Sequence, residues 1–402
     1  MSSGGGLKLY DVVVIGGGPA GSYVAYQLAG MGHKVMVLER KQRVGEPVCC
    51  TGIIGQECAN SFAIESNVIL RQVNSARLFS PSGNLLRLWR EEPQACILDR
   101  AAFDMAMANR AQGGGVEYVL NSPVRNIEVE EDKVKIEVSY QKAGLNLEAK
   151  AIVIATGFGS KLTEKLGLGN FADFVIGAQA EVATTGVDEV EVYFGRRIAP
   201  GFFGWLVPTS PGTARVGLLS RRSPELYLKE LMAALLAQGK IVSTDVKLSC
   251  GGIPLKPLGR TFGERLIVVG DAAGQVKPTS GGGIYYGLLC ADIAASTLNQ
   301  ALQHDDLSAK SLSKYEREWK RKLGRELKIG YWARKLFERL SDRQIDRIFD
   351  IIKANGIDEA LLKAKDLSFD WHSRAILRLL GRTVVARAIG VFRLPSKAGK
   401  DI

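Results

Sequence analysis

A β-branched run ending in a glycine turn, a second apolar strand ending in Gly-Asp far downstream, and alternating apolar and polar stretches between them predict an α/β chain. The expected architecture is a Rossmann-like nucleotide-binding domain, an inserted antiparallel β-sheet domain and a C-terminal helical region. At 402 residues the chain exceeds one compact core and needs two or three units.

Tyr10 to Arg40, YDVVVIGGGPAGSYVAYQLAGMGHKVMVLER, reads strand, glycine turn, helix, strand. Gly16, Gly18 and Gly21 stand in GxGxxG spacing, and Glu39 closes the second strand. Each has a physical task. Gly16 permits the tight turn, Gly18 lets a pyrophosphate approach the backbone, and Gly21 lets helix and strand pack closely, while the free N–H groups of the helix start receive the anion. Such spacing alone also fits an ordinary turn. Strand, helix and acidic terminus in register favour a dinucleotide, and an acid where the ribose sits argues against a 2′-phosphate, leaving FAD or NAD.

The next stretch, GEPVCCTGIIG from Gly45 to Gly55, sets two cysteines between a proline and glycines. A disulfide between neighbours closes a strained ring and is disfavoured. Packing and a place beside a cofactor both remain open for them. ARLFSPSGNLLRLW, Ala76 to Trp89, reads as a hairpin around SPSGN. Val175 to Leu219 and Lys247 to Ile253 alternate like sheet strands. The expected division places 1–75, 98–170 and 259–303 in the nucleotide-binding domain, 76–97 and 171–258 in the sheet domain, and 304–402 in the helical region.

ERLIVVGDAAGQVKPTSGGGIYYGLLCADIAAS, Glu264 to Ser296, decides between the two nucleotides. An apolar strand ends at Gly270-Asp271 and passes through a Gly/Pro/Ser loop into a helix. Asp271 suits a ribityl hydroxyl, and the amides from Gly281 through Gly282 and Gly283 to Ile284 suit negative charge on a flavin pyrimidine edge. An Asp-capped strand-helix connection is the plainer alternative. A GxGxxG followed far downstream by this segment makes FAD the better account.

These two segments, with IVIATGFGS (Ile152 to Ser160) and LDRAAFD (Leu98 to Asp104), resemble the FAD-dependent oxidoreductases related to p-hydroxybenzoate hydroxylase, and within them the geranylgeranyl reductases. The resemblance covers most of residues 9 to 330. It implies reduction of carbon–carbon double bonds in a polyprenyl or geranylgeranyl lipid, a chlorophyll precursor or a quinone tail, with NADPH or ferredoxin as electron donor. The family pattern Pro-Val-x-Cys-small-Gly is matched by Pro47, Val48, Cys50, Thr51 and Gly52, which implies that Cys50 lies by the flavin, with Thr51, as a catalytic candidate and leaves Cys49 incidental. Ala20, Arg40, Arg100 and the backbone of Val124 carry over as further FAD contacts, although Arg100 could instead pair with Asp104 one helical turn on. PGFFGWLVPT, Pro200 to Thr209, resembles the family's P-x-x-Y-x-W-x-F-P, with Phe203 for the Tyr and Val207 for the Phe, so that Phe203 and Trp205 become substrate-lining candidates beside their reading as sheet core. GWLVP also resembles a flavin-halogenase motif. A monooxygenase or halogenase on the same scaffold, and a prenyl-lipid carrier without turnover, are therefore the rival expectations.

Composition bounds the rest. No apolar run reaches the roughly 18 to 20 residues of a membrane-spanning helix, and MSSGGGLKLY reads as a flexible leader rather than a secretory signal. Six scattered cysteines imply a reducing, cytoplasmic setting, and three separated histidines without CxxC or HExxH spacing imply no metal. Net charge +11 suits anionic lipid or a phosphorylated substrate; without aromatic-basic RNA motifs or zinc-finger spacing, no nucleic-acid partner is expected. The basic helical run KSLSKYEREWKRKLGRELKIGYWARKLFERL is either a solvated face or a peripheral platform on the inner membrane surface, with Tyr331, Trp332 and Phe337 as apolar anchors.

Overall fold

The first strand, Leu9–Ile15, sits inside a sheet covered on both faces, which is why its residues alternate between two apolar cores rather than between core and water. Val12 and Val14 pack under helices, whereas Val13 and Ile15 face a second cluster built largely by the hairpin Val124–Val129 and Val134–Tyr140. The computed structural model describes residues 9–140, 143–357 and 368–381. In this eight-stranded sheet Leu9–Ile15 is parallel to Val35–Leu38 on one side and to Ala143–Ile154 on the other, and Leu266–Val268 follows parallel to the latter. Helix Pro19–Gly30 starts on a proline at its first turn, where a missing N–H costs nothing, and buries Gly21, Val24, Ala25 and Leu28 beside helices Arg100–Gly113 and Ile284–Gln303.

A seven-stranded sheet runs in the order Ser249–Pro254, Phe174–Ala183, Thr213–Ser220, Phe203–Ser210, Val190–Phe194, Ser75–Phe79, Leu85–Trp89. The SPSGN hairpin supplies its last two strands. Its pairings are antiparallel except one. Ser75–Phe79 lies parallel to Val190–Phe194, an arrangement open to strands far apart in sequence because a parallel pair needs a long crossover. One face carries Ala178, Leu206, Val216 and Leu218 onto helix Pro224–Ala237, through Leu228, Leu231 and Leu235. On the other face, register places Trp205, Gly217 and Gln179 in one row and Leu219, Gly177 and Gly251 in the next. Phe203 and Arg215, each two residues from a member of the first row, share that face.

Helix Ala309–Phe337 lies along helix Ile284–Gln303 and buries Leu312, Tyr315, Trp319, Leu323 and Leu327. Its polar handles reach the nucleotide-binding sheet: Trp319 Nε1 donates to Thr261 Oγ1 at 2.9 Å, and Tyr315 OH donates to Val268 O at 2.8 Å. Helix Asp342–Ala354 opens with a Ser341/Gln344 capping box and packs Ile345, Phe349 and Ile352 on the hairpin of the second sheet. Helix Ser373–Gly381 follows. Residues 358–367 and 382–402 of the expected helical region lie outside the described residues. No described helix is long and apolar enough to cross a membrane.

Candidate active site

The nucleotide end forms where strand Leu9–Ile15 stops. Gly16 has φ 112°, and a Cβ there would stand 2.4 Å from the carbonyl oxygen of Ala155. A Cβ on Gly21 would stand 2.0 Å from the carbonyl oxygen of Gly16. Gly18, the N-cap of helix Pro19–Gly30, has open space in front of it. The first and third glycines are thus required by the protein itself, whereas the second leaves space open at the helix start. Ala20 bears on the second glycine-Asp turn, its Cβ 3.2 Å from the Cβ position of Gly270.

Glu39 is 7% exposed. Its Oε2 accepts from Gly17 N at 2.7 Å and its Oε1 from Lys41 N at 2.9 Å. A carboxylate offers about four lone-pair sites, so two remain for a diol. Arg40 beside it is exposed, and Val124 begins a strand in the same apolar cluster as Leu38 and Val119.

Tyr315 and Gln275 brace the second turn. Gln275 Nε2 donates to Tyr315 OH at 2.7 Å while its Oε1 accepts from Gly270 N at 2.8 Å. The Asp271 carboxylate next to it has no hydrogen-bond partner among the described residues; burial raises its pKa, against the opposing pull of the nearby Arg100 cation. A Cβ on Gly283 would lie 2.5 Å from Asp271 Oδ1, so the helix start must be glycine to come this close. The preceding loop closes on itself, with Lys277 N donating to Gly282 O at 3.0 Å and Gly281 N to Lys277 O at 2.8 Å. The amides of Gly282, Gly283 and Ile284 find no acceptor among the described residues.

Between the two ends lies the cysteine loop. All cysteines are free. Cys50 Sγ accepts from Gly52 N at 3.4 Å and touches the Arg100 guanidinium. Arg100 also grips Asp104 through Nε at 3.2 Å and Nη2 at 2.9 Å. Burial opposes its charge, but Cys50 and Asp104 outweigh that and hold it firmly cationic. The helix-turn pair with Asp104 and a place at the site therefore coexist. Thr51 Oγ1 donates to Gln179 Oε1 at 2.8 Å, and Arg215 Nη1 donates to the carbonyls of Thr51 at 2.8 Å and Leu98 at 2.9 Å. Gly52 (φ 78°) has no room for a Cβ, which would lie 2.7 Å from Leu98 O. Cys49 turns the other way, its Sγ 3.6 Å from the Cβ position of Gly251, and burial raises its thiol pKa.

The sheet face closes the site from the far side. Ile253 Cδ1 and Leu219 Cδ1 reach within 3.1 and 3.6 Å of the Cβ position of Gly281. Trp205 lies flat over Gly217, where a Cβ would stand 2.4 Å from Cζ2, and its Nε1 is buried without a partner among the described residues. Phe203 follows at 6.0 Å, then Phe194 at 6.2 Å, then Phe337 and Phe349 at 5.7 and 5.9 Å from Phe194. These ring contacts join Trp205 and Phe203 to the apolar cluster of Phe194, Phe337 and Phe349.

Several site residues escape sequence reading. Thr156, beside Gly16, has a buried hydroxyl without a partner among the described residues; an orphaned buried hydroxyl is costly, and a ligand atom there would satisfy it. Gln179 and Arg215 sit on strands whose alternation marks them as outward. Gly177 and Gly217 carry the one available signal, glycine inside a strand, which marks close approach of another group. The open space at Gly18, the unpartnered Asp271 and Thr156, and three unpaired amides match in turn the diphosphate, polyol and pyrimidine edge of FAD.

Residues 10–189 match the family described as pyridine nucleotide-disulphide oxidoreductase. A digeranylgeranylglycerophospholipid reductase from Methanocaldococcus jannaschii is 32% identical over 363 residues, spanning 87% of this chain and 93% of the relative. The solved structure of a geranylgeranyl bacteriochlorophyll reductase-like protein from Thermoplasma acidophilum superposes with TM-score 0.84 at 25% identity, covering 96% of this chain and all of that one. A flavin-dependent brominase superposes with TM-score 0.67 at 19% identity, covering 94% of this chain and 100% of the brominase, which shows a shared fold alone.

Proposed function

Because the chain belongs to the digeranylgeranylglycerophospholipid reductase family, we propose that it saturates carbon–carbon double bonds of a geranylgeranyl or longer polyprenyl lipid. It is an FAD-dependent oxidoreductase acting on CH–CH groups. The observation that carries the substrate reading is the sheet face: Trp205 and Phe203 stand beside a field of glycines, opposite the cysteine loop and the unpaired amides. That is an apolar slot of ring faces and bare backbone, suited to a flat, branched hydrocarbon.

Reduced FAD, when bound, supplies a hydride. An isolated alkene accepts hydride poorly, so a proton must reach its other carbon in the same event. In this reading the Cys50 S–H bond breaks, its proton forms the second C–H bond, and the sulfur keeps the electron pair beside Arg100 until water returns a proton. The Trp205 face stabilises positive charge developing on the more substituted carbon. Leu219, Ile253 and Trp205 exclude water from the slot. Glu39, Arg40, Asp271, Arg100, Thr51, the backbone of Val124 and the amides of Gly282 to Ile284 hold the cofactor.

The test is an anaerobic incubation of dithionite-reduced protein with a geranylgeranyl lipid, read by mass spectrometry. Two mass units gained per double bond support the proposal. Unchanged lipid removes it in favour of a carrier, and an oxygen-dependent hydroxylation or halide incorporation in place of saturation favours the rival enzyme. NADPH and ferredoxin are distinguished by which one bleaches the bound flavin.

A peripheral contact with the inner membrane surface fits one patch. Trp332 is 63% exposed and Phe174 42% exposed, either side of the Tyr331–Asp173 hydrogen bond, with Lys256 4.3 Å over the Tyr331 ring. Phe337, expected as an anchor, is not available: it packs on Phe194 and under the Arg334 guanidinium at 4.7 Å. Trp332→Ala is expected to weaken sedimentation with anionic vesicles at low salt. Absence of wild-type sedimentation at low salt would remove the patch as a membrane contact.

A further inference from the structure

The loop that presents the amides of Gly282, Gly283 and Ile284 is held from behind by a distant segment. Lys277 is 5% exposed and Asp370 1% exposed. Lys277 Nζ donates to Asp370 Oδ1 at 3.0 Å and to Phe369 O at 3.2 Å. The carboxylate occupies a hollow that exists because residue 55 is glycine, since a Cβ there would stand 2.0 Å from Asp370 Oδ2, and Cys58 N donates to the same oxygen at 3.4 Å. Neighbouring contacts seat the segment. Trp371 packs 5.9 Å from Tyr285 and 5.8 Å from Tyr286, its Nε1 donates to Glu57 Oε2 at 2.8 Å, and the His372 and Ser373 amides donate to Glu326 Oε1 at 2.6 and 2.9 Å. The Lys277 stem runs beneath the amides themselves, its Cδ 3.8 Å from the Cβ position of Gly282.

A buried cation one side-chain layer behind three unpaired amides would bias them towards an anion; its buried carboxylate cancels most of that field. Structural anchoring alone needs no charge here, because Trp371, His372 and Ser373 already tie the segment down, and a buried ion pair is often no more stable than apolar residues of similar size. We infer that the Lys277–Asp370 pair is a positioning device that sets the net charge behind the flavin's pyrimidine edge, and with it the relative affinity of the site for reduced and oxidised FAD. The inference rests on the FAD reading and adds a function to residues outside the cofactor-contacting set.

The two halves then act with opposite sign. Asp370→Asn leaves an unbalanced cation, which favours the more negative reduced flavin, so the midpoint potential of bound FAD rises. Lys277→Met leaves an unbalanced carboxylate, and the potential falls. The Lys277→Met/Asp370→Asn double variant returns towards wild type. Each is read by dye-equilibrated redox titration of the FAD-loaded protein, at about pH 6 for Asp370→Asn and about pH 9 for Lys277→Met, always against wild type at the same pH, so that the lone group stays ionised. Opposite shifts support the inference, whereas shifts of one sign, or none, overturn it and leave the FAD reading intact. Should Asp370→Asn fail to fold, Lys277→Met is compared with the double variant, whose potential must lie above it; equality overturns the inference. Wild-type protein that binds no FAD overturns both readings, and is seen before any variant is made.

Discussion

Gly21→Ala is expected to abolish FAD binding and to cost about 1–3 kcal/mol of stability, the usual range for overpacking. The added methyl would meet the Gly16 carbonyl oxygen at 2.0 Å. That oxygen has little freedom to retreat, because Gly16 N donates to Leu38 O at 2.8 Å and the Gly16 Cβ direction is already filled by Ala155 O. Relief must come from helix Pro19–Gly30 moving off the sheet, which displaces the helix N-terminus from the pyrophosphate position. Gly18→Ala separates this from a direct clash. Its methyl meets no atom of the described residues within 4 Å, so it should melt like wild type and still lose the yellow cofactor if the proposed pyrophosphate site fills that space. Thermal melts with absorbance of bound flavin check both variants. A Gly21→Ala protein that keeps FAD and its melting temperature contradicts the packing account.

Cys50→Ala is expected to keep FAD and lose alkene reduction by about 10²- to 10⁴-fold, the range for removing a positioned general acid. The side chain is small, the loop it stands on is held independently through Thr51 and Arg215, and its removal leaves Arg100 paired with Asp104. Cys49→Ala is the internal control, since that thiol turns to Gly251 and away from Arg100. Single-turnover assays on pre-reduced protein read the effect without interference from flavin reduction. Full turnover by Cys50→Ala with FAD bound would remove the cysteine from the chemistry.

How far the sequence discloses this site depends on the distance over which each residue acts. The roles read for Gly16, Gly18 and Gly21 are local, a turn and the helix it starts; a Cβ on Gly16 or Gly21 would meet backbone, and Gly18 faces open space. Glu39 is similar, one strand away. Gly217 and Gly177 are different: a glycine in a strand tells of close approach but not of what approaches, and Trp205 becomes its neighbour only when Phe203–Ser210 and Thr213–Ser220 pair in their particular register. Arg215 and Gln179 mislead for the same reason, because polar residues in an alternating strand point outward only if that face is solvated, and here the nucleotide-binding domain covers it. Phe337 looks like a surface anchor in a basic helix until strand Val190–Phe194 of the second sheet places Phe194 against it. Asp370 carries no local signal at all, since its partner Lys277 lies across a long sequence separation and its hollow is made by Gly55.

The account depends on the flavin's reactive edge opening onto the Trp205 face. The most direct measurement is a crystal structure of the FAD-loaded protein with a polyprenyl lipid. It should show an isoprenoid chain lying across Trp205 and Gly217, with one double bond between the ring and Cys50 Sγ and the remaining units following Phe203. Lipid bound elsewhere, or a ring walled off from that face by Leu219 and Ile253, would contradict it.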